Sequence, residues 1–132
     1  MEPSLTELTA ALAAHRDVEL AVVFGSVARG EAGLGSDVDV AVRGAVDRLA
    51  LGAQLSRALG REVDVVELDT PDLVLLSEIV RDGRCVAERS PGAYAQFRSH
   101  ALATLETDLP LIHRQQEAFL ARLARAGVRG SG

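Results

Sequence analysis

The chain contains no lysine: all 14 of its basic residues are arginines. Chemistry that needs a lysine amine, such as a Schiff base or the lysine of a P-loop, is therefore excluded. The single cysteine, Cys85, allows no internal disulfide and makes a reducing compartment the expectation. His15, His100 and His113 are scattered, and with Cys85 they show no zinc-ligand spacing. No apolar run is long enough to cross a bilayer. The start, MEPSLTELTAAL, lacks the basic segment and long apolar stretch of a secretory signal. An excess of basic charge is missing too. The net charge is −5, which argues against a general nucleic-acid-binding surface. No repeat and no low-complexity segment appears. The expectation is a cytoplasmic protein that binds neither membrane nor nucleic acid directly.

What is present is apolar and regular. The 132 residues are 48% hydrophobic, enough for one folded domain with a real core. That domain is expected over 1–126, with 127–132 (GVRGSG) as a flexible tail. Leu5, Leu8 and Leu12 predict a helix from about Pro3 to His15, capped by Ser4 or Thr6. ELAVVF reads as a strand ending at Gly25, and GSVARGEAGLGS as a loop with four glycines. DVDVAVR alternates strictly and reads as a strand. A helix follows, with Val46, Leu49, Leu55 and Leu59 at helical spacing and Gly60 closing it. REVDVVEL is a third strand. TPDLVLLSEIVRDG is a helix, with Thr70 as cap, Pro71 at its first position and Gly83 at its end. RCVAE is a short extended piece. The last helix begins with Ser90 and Pro91. Its apolar stripe is Phe97, Ala101, Leu105, Leu109, Ile112, Phe119 and Leu123, and Pro110 should kink or divide it. Strands alternating with helices place the chain in the α/β or α+β class, with a small sheet of three or four strands.

Within the valine-rich strand DVDVAV stand two aspartates, Asp37 and Asp39. Residues two apart on a strand share a face. Val38, Val40 and Val42 can fill a core, while Asp37 and Asp39 form a carboxylate pair on the other face. Like charges this close repel, and a divalent cation is the natural compensation. Mg²⁺ takes one or two protein carboxylates, waters and substrate phosphates. A third carboxylate, Asp64, lies between valines in VDVVEL. If its strand pairs with the first, the three acids converge as a two-metal site for in-line phosphoryl or nucleotidyl transfer requires. The glycine loop supplies the other half. Gly25 lets the backbone approach a phosphate, Ser26 adds a hydroxyl, and Arg29 can fork onto phosphate oxygens. Ser36 either starts the strand or touches the nucleotide. With no lysine after the glycines, this is not a P-loop.

These residues carry a resemblance. GSVARGEAGLGSDVDVAV resembles the G-S-x-x-R-G…S-D-x-D signature of the polymerase-β-like nucleotidyltransferase superfamily. The third aspartate in VDVVEL and the segment LLSEIVRDGRCVAE are similar to the minimal nucleotidyltransferase (MNT) family within it. The resemblance covers Glu19 to Val86 and implies the nucleotidyltransferase fold, a small mixed sheet flanked by helices, with a long kinked C-terminal helix. It implies ATP as donor and Mg²⁺, two ions, as cofactor. Asp37 and Asp39 would be metal ligands, and Asp64 would be the third carboxylate, helping to activate an acceptor hydroxyl. Many MNT proteins are antitoxins paired with a HEPN ribonuclease toxin, and MntA-type members add AMP to a toxin tyrosine. This chain lacks the Arg-x(4–6)-His pair of HEPN ribonucleases, so the resemblance places it on the antitoxin side, in a hetero-oligomer with its toxin. Two alternatives stay open: a binding antitoxin that blocks its partner by contact, and a small-molecule nucleotidyltransferase.

Overall fold

The computed structural model describes residues 5–30, 37–69 and 72–130. Among them the elements run α1 (Leu5–Ala13), β1 (Val18–Phe24), α2 (Ser26–Arg29), β2 (Val38–Gly44), α3 (Arg48–Leu59), β3 (Val63–Glu67), α4 (Leu73–Asp82), β4 (Arg84–Glu88) and α5 (Ala93–Gly130). The strands form one mixed sheet in the order β3-β2-β1-β4. β1 is antiparallel to both β2 and β4, and β2 is parallel to β3. The parallel pair needs a crossover, and the 12-residue α3 provides it. None of the described helices is long and apolar enough to cross a membrane.

Helices cover both faces of the sheet. On one, Leu8 and Leu12 of α1 and Leu51 and Leu55 of α3 pack on Ala21, Val23, Val38, Val40 and Val42. On the other, Leu76 and Ile79 of α4 and Phe97 and Ala101 of α5 pack on Leu20, Val22, Phe24 and Ala41. β1 lies between two neighbours and under helices on both faces, so it reads as a continuous apolar run rather than an alternation. β2 alternates because only its valine face is wholly buried. Its other face carries Asp39, half-buried, and Ala41.

Several elements depart from the sequence reading. Leu49 does not join the apolar face of α3; it is exposed, and Leu51 and Leu55 are buried instead. That helix begins only at Arg48, because the Asp47 carboxylate accepts from the Ala50 N–H as its N-cap. In α4 the cap is Asp72, accepting from Val74 and Leu75 N–H groups. Thr70 and Pro71, expected to start it, lie outside the described residues, as do Ser4 and Ser36. Thr6 sits inside α1 rather than before it. The expected glycine loop holds a helical turn, α2. Pro110 does not divide α5, which continues to Gly130. The stripe of α5 is buried only at Phe97 and Ala101 and partly at Leu105; Phe119 and Leu123 are exposed, while the side chains of Leu109 and Ile112 are outside the described set.

The Asp72 cap gives a direct check on this frame. Asp72→Ala should lower stability by about 1 kcal/mol in urea denaturation, while Asp72→Asn, itself a good cap, should keep most of it. Equal losses in both variants would mean that Asp72 acts through its charge and not as a cap.

Candidate active site

The parallel register of β2 and β3 sets Asp39 beside Asp64 on adjacent strands. Register partners in a sheet present their side chains on the same face. Asp37, exposed, stands two residues ahead of Asp39, just before β2. A fourth acid, Glu78, faces the group from α4. The Asp39 carboxyl is pushed above its ordinary range, first by burial, then by the charges of Asp64, Asp37 and Glu78. Every one of these influences acts in the same direction, so Asp39 is an acid that a cation would stabilise.

The end of β1 meets this cluster. Phe24 pairs with Asp39 across the antiparallel register, and Gly25 follows it. Gly25 has φ 78° and ψ −157°, a backbone conformation that only glycine holds without strain. A Cβ there would come 2.6 Å from Asp39 Oδ2. The glycine therefore does two things: it turns the chain from β1 into α2, and it lets the backbone lie against the carboxylate. α2 begins at Ser26, half-buried, with no side chain capping its first turn. Arg29 closes the turn, and Gly30 ends it in the left-handed conformation. Arg29 Nη1 donates to Asp82 Oδ2 on α4 at 2.8 Å.

Of the residues singled out from the sequence, Gly25, Asp39 and Asp64 come together, Asp37 adds its charge, and Ser26 and Arg29 lie on the turn that follows Gly25. Ser36 lies outside the described residues. Among the described residues, no three His, Cys, Asp or Glu side chains are gathered as a ready-made metal-holding set. A cavity of about 440 Å³ opens farther along, lined by Arg43, Leu68, Leu76, Phe97, Ala101 and Thr104 among others. It is mainly apolar. Its Asp69 is already held by Arg43 through two 2.8 Å hydrogen bonds, which keep the Asp69 carboxyl below its usual range. The crowded carboxylates are at Asp39, about 13 Å away at strand spacing.

Residues 6–92 match the family model described as polymerase beta, nucleotidyltransferase. The chain belongs to that nucleotidyltransferase family. Solved structures share its fold. A chain from a toxin–antitoxin crystal structure with AMP-PNP is 22% identical, with a TM-score of 0.72 over 92% of this chain and 98% of that one. A chain from the MntA–HepT toxin–antitoxin structure is 21% identical, with a TM-score of 0.65 over 91% of this chain and 96% of that one. A third comes from the tri-AMPylated Shewanella oneidensis HEPN toxin in complex with an MNT antitoxin, at 21% identity and a TM-score of 0.65, covering 91% and 95% of the two chains. At these identities the likeness is one of fold. No match is found among curated proteins.

Sequence reasoning missed Glu78 and Asp82, both on α4 of this nucleotidyltransferase domain. A signal was present for Asp82. It is the last residue of α4, where the helix dipole disfavours a carboxylate. An acid placed there needs compensating cations, and the structure supplies Arg29 and Arg81. Glu78 had no comparable signal, because its proximity to Asp39 exists only once α4 lies across the sheet.

The contact of Gly25 with Asp39 can be separated from its backbone strain. Gly25→Ala should lower stability by about 1–3 kcal/mol for the strained conformation, with a further loss for the clash. Adding Asp39→Ala should recover the clash part alone, so the double variant should melt above Gly25→Ala and below Asp39→Ala. A double variant no more stable than Gly25→Ala would show that the carboxylate does not meet the glycine.

Proposed function

We propose that this chain is a Mg²⁺-dependent nucleotidyltransferase that moves AMP from ATP to a hydroxyl, the acceptor being a tyrosine of a HEPN toxin, and that it serves as the antitoxin. The observation that carries the reading is the half-buried Asp39, crowded by Asp64, Asp37 and Glu78, against the backbone of Gly25. An all-carboxylate donor set, whose charged neighbours among the described residues are acids, suits a hard divalent ion. Asp37, Asp39 and Asp64 would hold Mg²⁺. When bound, the ions would neutralise phosphate charge and polarise the reacting oxygens.

The chain's own residues do the rest. Gly25 brings backbone N–H groups of α2 toward the triphosphate, and Ser26 and Arg29 add side-chain donors, with Ser36 as a further nucleotide contact. Asp64 takes the proton of the acceptor hydroxyl. The acceptor oxygen then bonds to the α-phosphorus, the bond to the β-phosphate oxygen breaks, and pyrophosphate leaves. Positioning and charge complementarity supply most of the rate enhancement. The reading is supported by family membership and by the similar structures, one of which was obtained with AMP-PNP and another of which holds a tri-AMPylated HEPN toxin. The working unit is a single domain over 1–126 in a hetero-oligomer with its toxin, acting in the cytoplasm. A contact-only antitoxin is the competing reading. It is favoured by the exposed Phe119, Leu120 and Leu123 on α5, a surface that a partner could cover.

One pair of variants separates the two. Asp37→Asn with Asp39→Asn keeps side-chain size and leaves the valine face intact, so the protein should fold. An enzyme loses the AMP adduct on the partner, read by mass spectrometry, and loses protection in co-expression. Full protection without an adduct would overturn catalysis and leave contact as the mechanism. Metal dependence gives a second check. Calorimetry with AMP-PNP should show binding at least about tenfold weaker in EDTA than with Mg²⁺, the equivalent of about 1.4 kcal/mol. Equal affinities would refute the metal site.

A further inference from the structure

We propose that Asp82 is a positioning residue that holds the Arg29 guanidinium in place for the triphosphate. The proposal rests on the reading of Arg29 as a phosphate contact and adds the group that directs it. Asp82 is 53 residues away in sequence, at the end of α4, yet its Oδ2 accepts from Arg29 Nη1 at 2.8 Å. The Asp82 side chain is only 6% exposed, whereas Arg29 is 38% exposed. The carboxylate is thus the fixed partner, and the guanidinium is the one that reaches solvent.

Asp82 is itself pinned from several sides. Arg81 donates from Nε to Oδ1 at 3.2 Å and from Nη2 to Oδ2 at 3.1 Å. Both carboxylate oxygens are therefore engaged, and the Asp82 carboxyl sits below its usual range, first through Arg81 and then through Arg29. It stays ionised wherever the protein is folded at neutral pH. The backbone behind it is fixed by Gly83, whose N–H donates to the Ile79 carbonyl at 2.7 Å and whose own carbonyl accepts from Tyr94 Oη at 3.2 Å. A Cβ at Gly83 would meet Ile79 O at 2.2 Å and Val22 Cγ1 at 2.8 Å, so α4 ends tight against β1. This anchor is as rigid as the sheet.

A guanidinium has five N–H donors in a planar fork. Engaging Nη1 from one side constrains the plane of the whole group. Arg29 ends the turn that starts at Gly25, beside Asp39. The charge order is therefore acid cluster, phosphate turn, arginine and then the buried aspartate. Asp82 stands between the like charges of Arg29 and Arg81 and accepts from both. This is why a carboxylate occupies a helix C-terminus that would favour a cation.

The test is a double-mutant cycle read as the Kd of AMP-PNP with Mg²⁺ by calorimetry, which needs no acceptor protein. Arg29→Ala should raise Kd about tenfold or more, since a charge-assisted contact is lost. Asp82→Asn should raise it about tenfold in the native background and less than about twofold in the Arg29→Ala background, because its effect passes through Arg29. Equal Asp82→Asn effects in both backgrounds would overturn the positioning role and leave the phosphate role of Arg29 standing. No effect of Asp82→Asn in the native background would overturn it in the same way. An unchanged Kd in Arg29→Ala would overturn both. Asp82→Glu, which keeps the charge, should bind AMP-PNP more tightly than Asp82→Asn; a Glu variant as weak as the Asn variant counts against the proposal. Thermal melts of all variants separate unfolding from loss of binding.

Discussion

The structure turns on one electrostatic constraint: carboxylates must sit side by side on a sheet whose other face packs its valines under α1 and α3. Asp39 belongs to β2, an interior strand, flanked by β3 on one side and β1 on the other. Burial already disfavours its charge, and Asp64, Asp37 and Glu78 add to that. Such an arrangement persists only because the valine face is strong enough to hold the register without help from the acids. Val38, Val40 and Val42 are fully buried under α1 and α3, and the carboxylates have no packing duty on that side. The parallel pairing of β2 and β3 then does the rest. A slip of one residue would turn Asp39 into the core and expose a valine, so the same hydrophobic pattern that stabilises the sheet also aligns Asp39 with Asp64.

The opposite charge is arranged around this cluster rather than inside it. With no lysine in the chain, the ion pairs among the described residues are made by guanidinium groups, planar groups that a carboxylate can orient. Arg29 is oriented by Asp82 at one end of the sheet, and Arg43 by Asp69 at the other. The two pairs differ in what surrounds them. The Asp82 side chain is little exposed and engaged by two arginines, while Asp69 is half-exposed and belongs to Arg43 in a matched pair. Of the two arginines, only Arg29 belongs to the turn that begins at Gly25. That turn depends on a residue without a side chain: any Cβ at Gly25 would occupy the space of an Asp39 oxygen.

Much of this was legible in the sequence because it lies in patterns of period two and in glycines. The alternation in DVDVAV put Val38, Val40 and Val42 on one face and Asp39 on the other, and the structure agrees. Gly60 closes α3 in the left-handed conformation, as its place after Leu59 suggested. Less legible were contacts that depend on how elements cross. Leu49 has helical spacing with Val46, yet α3 is rotated so that Leu51 and Leu55 face the sheet. Asp72, not singled out from the sequence, caps α4 because its carboxylate reaches two N–H groups of the first turn. Glu78 carried no signal of its own, because its proximity to Asp39 comes from α4 packing on β1, while for Asp82 only its place at the helix end was a sign. Phe119 and Leu123 belong to the expected stripe but are exposed, since an apolar stripe does not say whether its partner is in the same chain.

That last point bears on how the molecule is divided. The family match ends at residue 92, and α5 begins at Ala93. The helix is nevertheless not an appendage throughout. Its first turns belong to the core, since Phe97 and Ala101 are buried against the same cluster as Leu76 and Ile79, and Tyr94 donates to the carbonyl of Gly83 beside Asp82. Beyond Leu105 the described side chains are exposed, residues 113–125 among them. Pro110 falls after that change. The carbonyl it leaves without a helix partner is that of Glu106, an exposed residue, so water can satisfy it and the helix need not break. A proline three turns earlier would have cost the core its packing. Pro110 thus sits where the helix tolerates it, and beyond it Phe119, Leu120 and Leu123 are apolar side chains left exposed.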